Sequence, residues 1–182
     1  YSTVPGLRLD AAYDITRRMS LAGGVSYTHT KYHDGRINDI YRSNEYTAYI
    51  QPRYYINNKS FVLAGVSGFY STATEPSYGY TGQTYSVGYF GELPLTLTLY
   101  ARLDLTHTEY HEPQFFIMRD YSLDSFRRRD WTYQAYIRLS SRLLEYQRIY
   151  PSISYTYTRR DSNAPAFEFY KHRLEIELNY RF

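Results

Sequence analysis

At 182 residues the chain has the length of a single domain, and it lacks the run of about 18 apolar residues that a membrane-spanning helix needs. A formal charge of +3, with no basic cluster interleaved as a binding groove requires, argues against a nucleic-acid partner. Mean hydropathy of −0.60 ordinarily marks a soluble protein, yet a membrane barrel escapes that test because half of each strand faces a polar interior.

In chain order, the first predicted strand runs from Gly6 to Ile15. Leu7, Leu9, Ala11, Tyr13 and Ile15 fall on one face and Arg8, Asp10, Ala12 and Asp14 on the other, since strand side chains alternate. After the turn Thr16-Arg17-Arg18, a second strand over Met19 to Lys31 sets Leu21, Gly23, Val25 and Tyr27 against Ser20, Ala22, Gly24, Ser26 and Thr28. A long polar loop is expected from Tyr32 to Asn44. The third strand, Glu45 to Ile56, alternates Tyr46, Ala48, Ile50, Pro52 and Tyr54 with Thr47, Tyr49, Gln51, Arg53 and Tyr55. Pro52 lacks an amide donor and is expected at a bulge or strand end.

Asn57-Asn58-Lys59 makes a tight turn. The fourth strand, Ser60 to Tyr70, is apolar on both faces at Phe61-Val62-Leu63, which leaves its register open. Ser71 to Gly79 reads as loop, and the fifth strand, Tyr80 to Glu92, sets Tyr85, Val87 and Tyr89 against Thr84, Ser86 and Gly88. Leu93-Pro94 turns the chain into a sixth strand, Leu95 to Thr106, with leucines alternating against Thr96, Thr98, Tyr100, Arg102 and Asp104. The longest connection, His107 to Asp130, precedes a seventh strand over Trp131 to Leu143. A turn near Glu145-Tyr146-Gln147 leads to an eighth strand around Ser152 to Thr158, and Arg159 to Glu168 is loop. The ninth strand alternates Leu174, Ile176, Leu178, Tyr180 and Phe182 with Arg173, Glu175, Glu177, Asn179 and Arg181.

Nine strands, each near the ten residues that cross a bilayer, are joined by connections that alternate short and long. That is the pattern of an antiparallel transmembrane β-barrel with short periplasmic turns and longer outer loops. Composition agrees. Of 21 basic residues only Lys31, Lys59 and Lys171 are lysines, all at strand ends or turns, whereas soluble sheets spread Lys over their exposed faces. The 25 tyrosines suit a membrane interface, where the ring lies in lipid and the hydroxyl stays wet. Absence of cysteine fits export through an oxidising compartment. Outer-membrane lipids are the expected surroundings.

The polar strand faces supply the candidate lumen residues Arg8, Asp10, Arg53, Arg102, Asp104, Arg138, Arg142, Arg173, Glu175, Glu177 and Arg181. With Asp14, Glu45 and Glu92 the charges nearly cancel, which suits a rigid or guarded interior better than a strongly ion-selective pore. His107, Glu109 and His111 share one strand face at a spacing that could bind a metal, but nothing completes the site, and no metal or cofactor is expected. An outer-membrane hydrolase would need a nucleophile with a positioned His. His29, His33, His107, His111 and His172 lie near loops, no spacing forces such a pairing, and no enzymatic activity is expected.

The closing strand, ending on Tyr180-Arg181-Phe182, resembles the last strand of bacterial outer-membrane barrels, in which a terminal aromatic is the signal read by the barrel-assembly machinery. The resemblance assigns that role to Tyr180 and Phe182. Further signatures are Phe126-Arg127-Arg128-Arg129-Asp130, Arg142-Leu143, Pro151-Ser152-Ile153-Ser154-Tyr155 and Arg159-Arg160-Asp161-Ser162-Asn163, followed by Tyr170. In this order they resemble the C-terminal barrel of surface lipoprotein assembly modifiers, a family of the Gram-negative outer membrane with a periplasmic tetratricopeptide domain before the barrel. The resemblance implies a protein-transport role in moving lipoproteins to the bacterial cell surface, with surface lipoprotein as cargo. The competing reading is a polysaccharide-export or diffusion porin, its lumen lined by Tyr49, Tyr55, Tyr100 and Tyr136.

Strand parity adds one expectation. If the last strand ends in the periplasm, nine strands put the first one's start outside, whereas a complete single-chain barrel has an even number. Beginning at Tyr1 rather than Met, the chain therefore reads as a mature or shortened product, the C-terminal part of a larger barrel.

Overall fold

The computed structural model describes residues 1–182 apart from Arg142, Gln147, Arg181 and Phe182. The expectations placed on Arg142, Arg181 and Phe182 lie outside the described residues. The chain is all-β, and its main body is one ten-stranded antiparallel sheet. In sequence the strands are β1 (Ser2–Thr3), β2 (Gly6–Thr16), β3 (Met19–Tyr32), β4 (Ser43–Asn57), β5 (Ser60–Ala73), β6 (Tyr80–Leu93), β7 (Leu97–Tyr110), β8 (Gln114–Ile117), β9 (Leu123–Phe126), β10 (Arg129–Ser141), β11 (Ile149–Ser162) and β12 (Phe169–Tyr180).

Nine of these strands are long and correspond one for one with those legible in the sequence. The tenth strand of the sheet, β1, pairs with the far end of β3, beyond the stretch that pairs with β2. Pro5 separates β1 from β2, and its carbonyl still accepts the His29 amide at 2.9 Å. The two are pieces of one edge strand, where a residue without an amide donor is tolerated. From β3 to β7 each long strand pairs with the next in sequence. β7 then pairs with β10, and the order continues through β11 to β12. Each long strand thus lies beside the long strand that follows it in sequence, as antiparallel connections between consecutive strands favour.

The longer connections hold more structure than expected. Tyr32 to Asn44 contains a short helix, α1 (Gly35–Tyr41), because the Asp34 side chain accepts from the Arg36 and Ile37 amides and caps it. The long segment after β7 begins at His111 rather than His107 and folds into the β8–β9 hairpin. β11 continues through Arg159 to Ser162, so most of the expected last loop's start is strand. At the opposite end, Leu95 and Thr96 belong to a turn, with φ of 60° and 55°, and β7 starts at Leu97.

Register makes the open strand readable. Arg53 pairs with Leu63, and Leu63 with Gly88, so Phe61, Leu63, Ser67 and Phe69 share the polar face. Val62, Ala64, Val66 and Tyr70 take the apolar one. Pro52 sits within β4 opposite Leu21, and the ladder to β5 skips that stretch, resuming at Arg53.

Burial is inverted relative to a water-soluble sheet. Among the described residues, Leu63, Phe116 and Ala164 are the only buried hydrophobics, while Ser20, Ser60, Ser71, Arg128, Asp130, Ser152 and Ser154 are buried polar ones. Leu9, Val25, Ile50, Val87, Leu103, Ile137 and Leu174 are exposed and all lie on the apolar face. Among the described residues, no backbone ladder joins β2 to β12, so the sheet has two open edges.

Candidate functional site

The polar face is organised by a simple local rule. Residues two apart on a strand point the same way, so an Arg followed at that spacing by an acid forms an ion pair within its own strand. Arg8 Nε donates to Asp10 at 2.7 Å, Arg102 to Asp104 at 2.8 Å, and Arg159 to Asp161 at 2.8 Å. Arg128 with Asp130, and Arg173 with Glu175, repeat the arrangement. Most of these residues are among the candidate lumen residues, and the Arg-x-acid spacing that pairs them is itself a pattern of the sequence.

Cross-strand contacts tie the pairs together. The Tyr49 hydroxyl donates to Asp10 at 2.6 Å, and Arg102 also donates to Ser86 at 3.0 Å. Asp10 leans over Gly24, where a Cβ would come within 2.5 Å of its carboxylate oxygen. Arg138 reaches Glu177 at 2.8 Å, Asn179 at 2.9 Å and Ser152 at 3.1 Å, linking β10, β11 and β12. Arg8, Asp10, Arg53, Arg102, Asp104, Arg138, Arg173, Glu175 and Glu177 therefore share one face, in several separate groups rather than one focus. Nearer the tight turns the face turns aromatic. Phe61 stacks on Phe90 at 5.1 Å between centroids and meets Tyr55 at 5.8 Å, and Tyr100 lies 5.8 Å from Tyr136.

The densest cluster is at the opposite end, where the sequence signatures Phe126–Asp130 and Arg159–Asn163 meet. The register sets Asp130 beside Ser162 and Thr132 beside Arg160. Arg128 and Asp130 are 7% and 3% exposed, and the guanidinium holds both carboxylate oxygens. It is also sandwiched between the Tyr110 ring at 4.0 Å and the Phe167 ring at 3.8 Å, a desolvated cation–π arrangement. Ser162 donates to Asp130 at 2.7 Å, and Asn163 clasps the Arg127 carbonyl and the Arg129 amide.

The β8–β9 hairpin rests on this cluster. Phe116 packs on Phe126 and Phe167, with centroids at 5.0 and 5.9 Å. Gln114 bonds the Ser77 carbonyl on one side and Arg119 pairs with Glu168 on the other. At the hairpin tip, the Ser122 hydroxyl and amide both donate to Asp120 and hold its carboxyl below the usual range.

The histidines are dispersed. His33 contacts Thr3 at 2.7 Å, His29 contacts Asn44 at 2.8 Å, and His172 contacts the Tyr155 hydroxyl at 2.7 Å. His107 lies against Trp131, His111 bonds Thr81, and Glu109 is held by Arg129 at 2.9 Å. Among the described residues no three His, Asp or Glu gather at metal-binding distance.

A family model described as surface lipoprotein assembly modifier matches residues 1–182. No curated protein matches. Among solved structures, the crystal structure of the beta domain of the Bordetella autotransporter Brka is similar over 97% of this chain and 76% of that one. Identity there is 11% and the TM-score 0.45.

Proposed function

Because the chain belongs over its whole length to the surface lipoprotein assembly modifier family, we propose that its sheet is wall of an outer-membrane β-barrel that helps lipoproteins reach the bacterial surface. The observation that carries this reading is the inverted burial: a sheet with Leu, Val, Ile and Tyr bare on one face and charges paired on the other. In water such a face would demand a covering partner; in a bilayer, lipid is that partner. The apolar face also carries paired Tyr27, Tyr46 and Tyr70 toward the long-loop end, and Trp131 lies on the same face of β10 opposite His107, as an interfacial girdle requires.

In this reading the polar face borders a water-filled lumen, and its residues hold shape rather than perform chemistry. Tyr180 is part of the strand presented to the barrel-assembly machinery. The β8–β9 hairpin is extracellular and lies at the outer mouth. A cysteine replacing Asp124 should react with a membrane-impermeant thiol reagent on intact cells; reaction only after the outer membrane is breached would overturn the orientation. Deleting the protein should reduce protease-accessible lipoprotein on intact cells without changing its total amount. Unchanged exposure, with sugar flux through liposomes containing the full-length protein, would favour a polysaccharide or diffusion pore instead.

A further inference from the structure

Across the polar face one row of side chains runs Asp14, Ser20, Arg53, Leu63, Gly88, Arg102, Tyr136. Arg53 and Arg102 of this row also line a groove of about 390 Å³, together with Arg8, Tyr49, Gln51 and Ser86 of the neighbouring rows. Two of its three guanidiniums are committed. Arg8 is paired with Asp10, and Arg102 spends its Nε on both oxygens of Asp104.

Arg53 is not committed. It makes no ion pair with a described residue; its guanidinium carbon lies 5.8 Å from the Phe61 ring centroid, and its Nε is buried without a hydrogen-bond partner. Asp14 is in the same row but two strands away and makes no ion pair with it. A buried guanidinium N–H that satisfies nothing is uncommon in a folded protein, because the lost water contact is not replaced. The planar donor fork of Arg fits an oxyanion best. Three cations lining the groove against two paired acids leave it one positive charge in excess.

The floor beside Arg53 is open. A Cβ at Gly65 would meet Ile50 O at 3.6 Å and Gln51 Cγ and Ser86 Cβ at 3.7 Å, all ordinary contacts. Glycine here leaves space that a ligand can use, and a side chain can be added without displacing backbone.

We propose that Arg53 is the anchor of a binding site for an oxyanion group, a phosphate or a carboxylate, entering from the polar side of the sheet. Arg8 and Arg102 supply the flanking field, and Tyr49, Gln51 and Ser86 are the neutral hydrogen-bonding groups of the same groove. The site does not depend on the nature of the cargo.

The test is calorimetric titration of the full-length protein in detergent micelles with inorganic phosphate, then with hexaglutamate. Saturable phosphate binding is expected, weakened at least tenfold in both Arg53→Gln and Gly65→Leu and unchanged in Lys59→Gln, whose cation lies at a turn beside Glu92. Gly65→Leu fills the groove without altering charge, and heat-modifiable gel mobility like that of the parent protein establishes that each variant is folded. Displacement of phosphate by hexaglutamate would identify the site as one for a peptide carboxylate; phosphate binding that hexaglutamate leaves untouched would identify it as one for small ions. Absence of saturable binding of either probe, or equal affinity in the parent, Arg53→Gln and Gly65→Leu, would overturn the proposal.

Discussion

Asp130 illustrates why position matters more than charge count in this protein. Its carboxylate is almost wholly buried and neutralises an equally buried Arg128, with Ser162 as a third partner. Removing one member of such a pair leaves an uncompensated charge. Asp130→Ala should therefore cost about 3–5 kcal/mol in unfolding from lipid or detergent. The exposed Arg8–Asp10 pair should contribute far less, since water screens it. Equal losses on breaking either pair would show that the cluster at Asp130 is not specially dry. Asp120 makes a different prediction. Its carboxyl is depressed by the Ser122 donors, so its contribution to the hairpin tip is fully present above the ordinary Asp value of about 3.9. That contribution is lost as pH falls through the lowered folded value. Hydrogen exchange over residues 114–126 should accelerate in that acid window, and Asp120→Ala should remove the pH step.

At the scale of the strand, alternation is the governing fact. Leu103 lies midway along β7 on the apolar face, between Val87 and Ala135. Gln134, on β10, lies on the polar face opposite Asp104. In a bilayer Leu103→Arg should destabilise by about 2–4 kcal/mol, whereas Gln134→Arg should be nearly neutral because its charge meets Asp104. Unfolding titrations in liposomes measure both; a reversed order would exchange the two faces. The elements at the loop ends follow other physics. The β8–β9 hairpin has too few strands to be stable alone, and it is held by Phe116, Gln114 and Arg119 contacts to segments distant in sequence.

Among the described residues, the sheet has two unpaired edges, along β2 and along β12. In lipid each unpaired backbone group costs several kcal/mol, so open edges are not tolerated there. Residues 1–182 folded alone into liposomes should therefore not give a compact, heat-modifiable monomer. They should remain protease-sensitive or associate edge to edge. A protease-resistant monomer with heat-modifiable mobility would mean that β2 and β12 do pair in the membrane.

Much was legible in the letters because the strand repeat is strict. Leu97 to Leu105 and Leu174 to Tyr180 each permit one facing only, and each long strand lies beside the long strand next to it in sequence. Both faces, nine long strands and their order follow from that periodicity, and the resemblance to the family was legible in the arginine-rich runs near Asp130 and Asp161. Other features depended on tertiary pairing. Phe61-Val62-Leu63 has no polar face of its own, so only the ladders to β4 and β6 decide that Leu63 turns toward Arg53. The Arg128–Asp130–Ser162 cluster joins residues more than 30 apart in sequence, and its burial comes from Tyr110 and Phe167, which no local pattern marks. Local alternation assigns a side chain to a face; which neighbours it meets there is a question of register, settled only when the strands lie side by side.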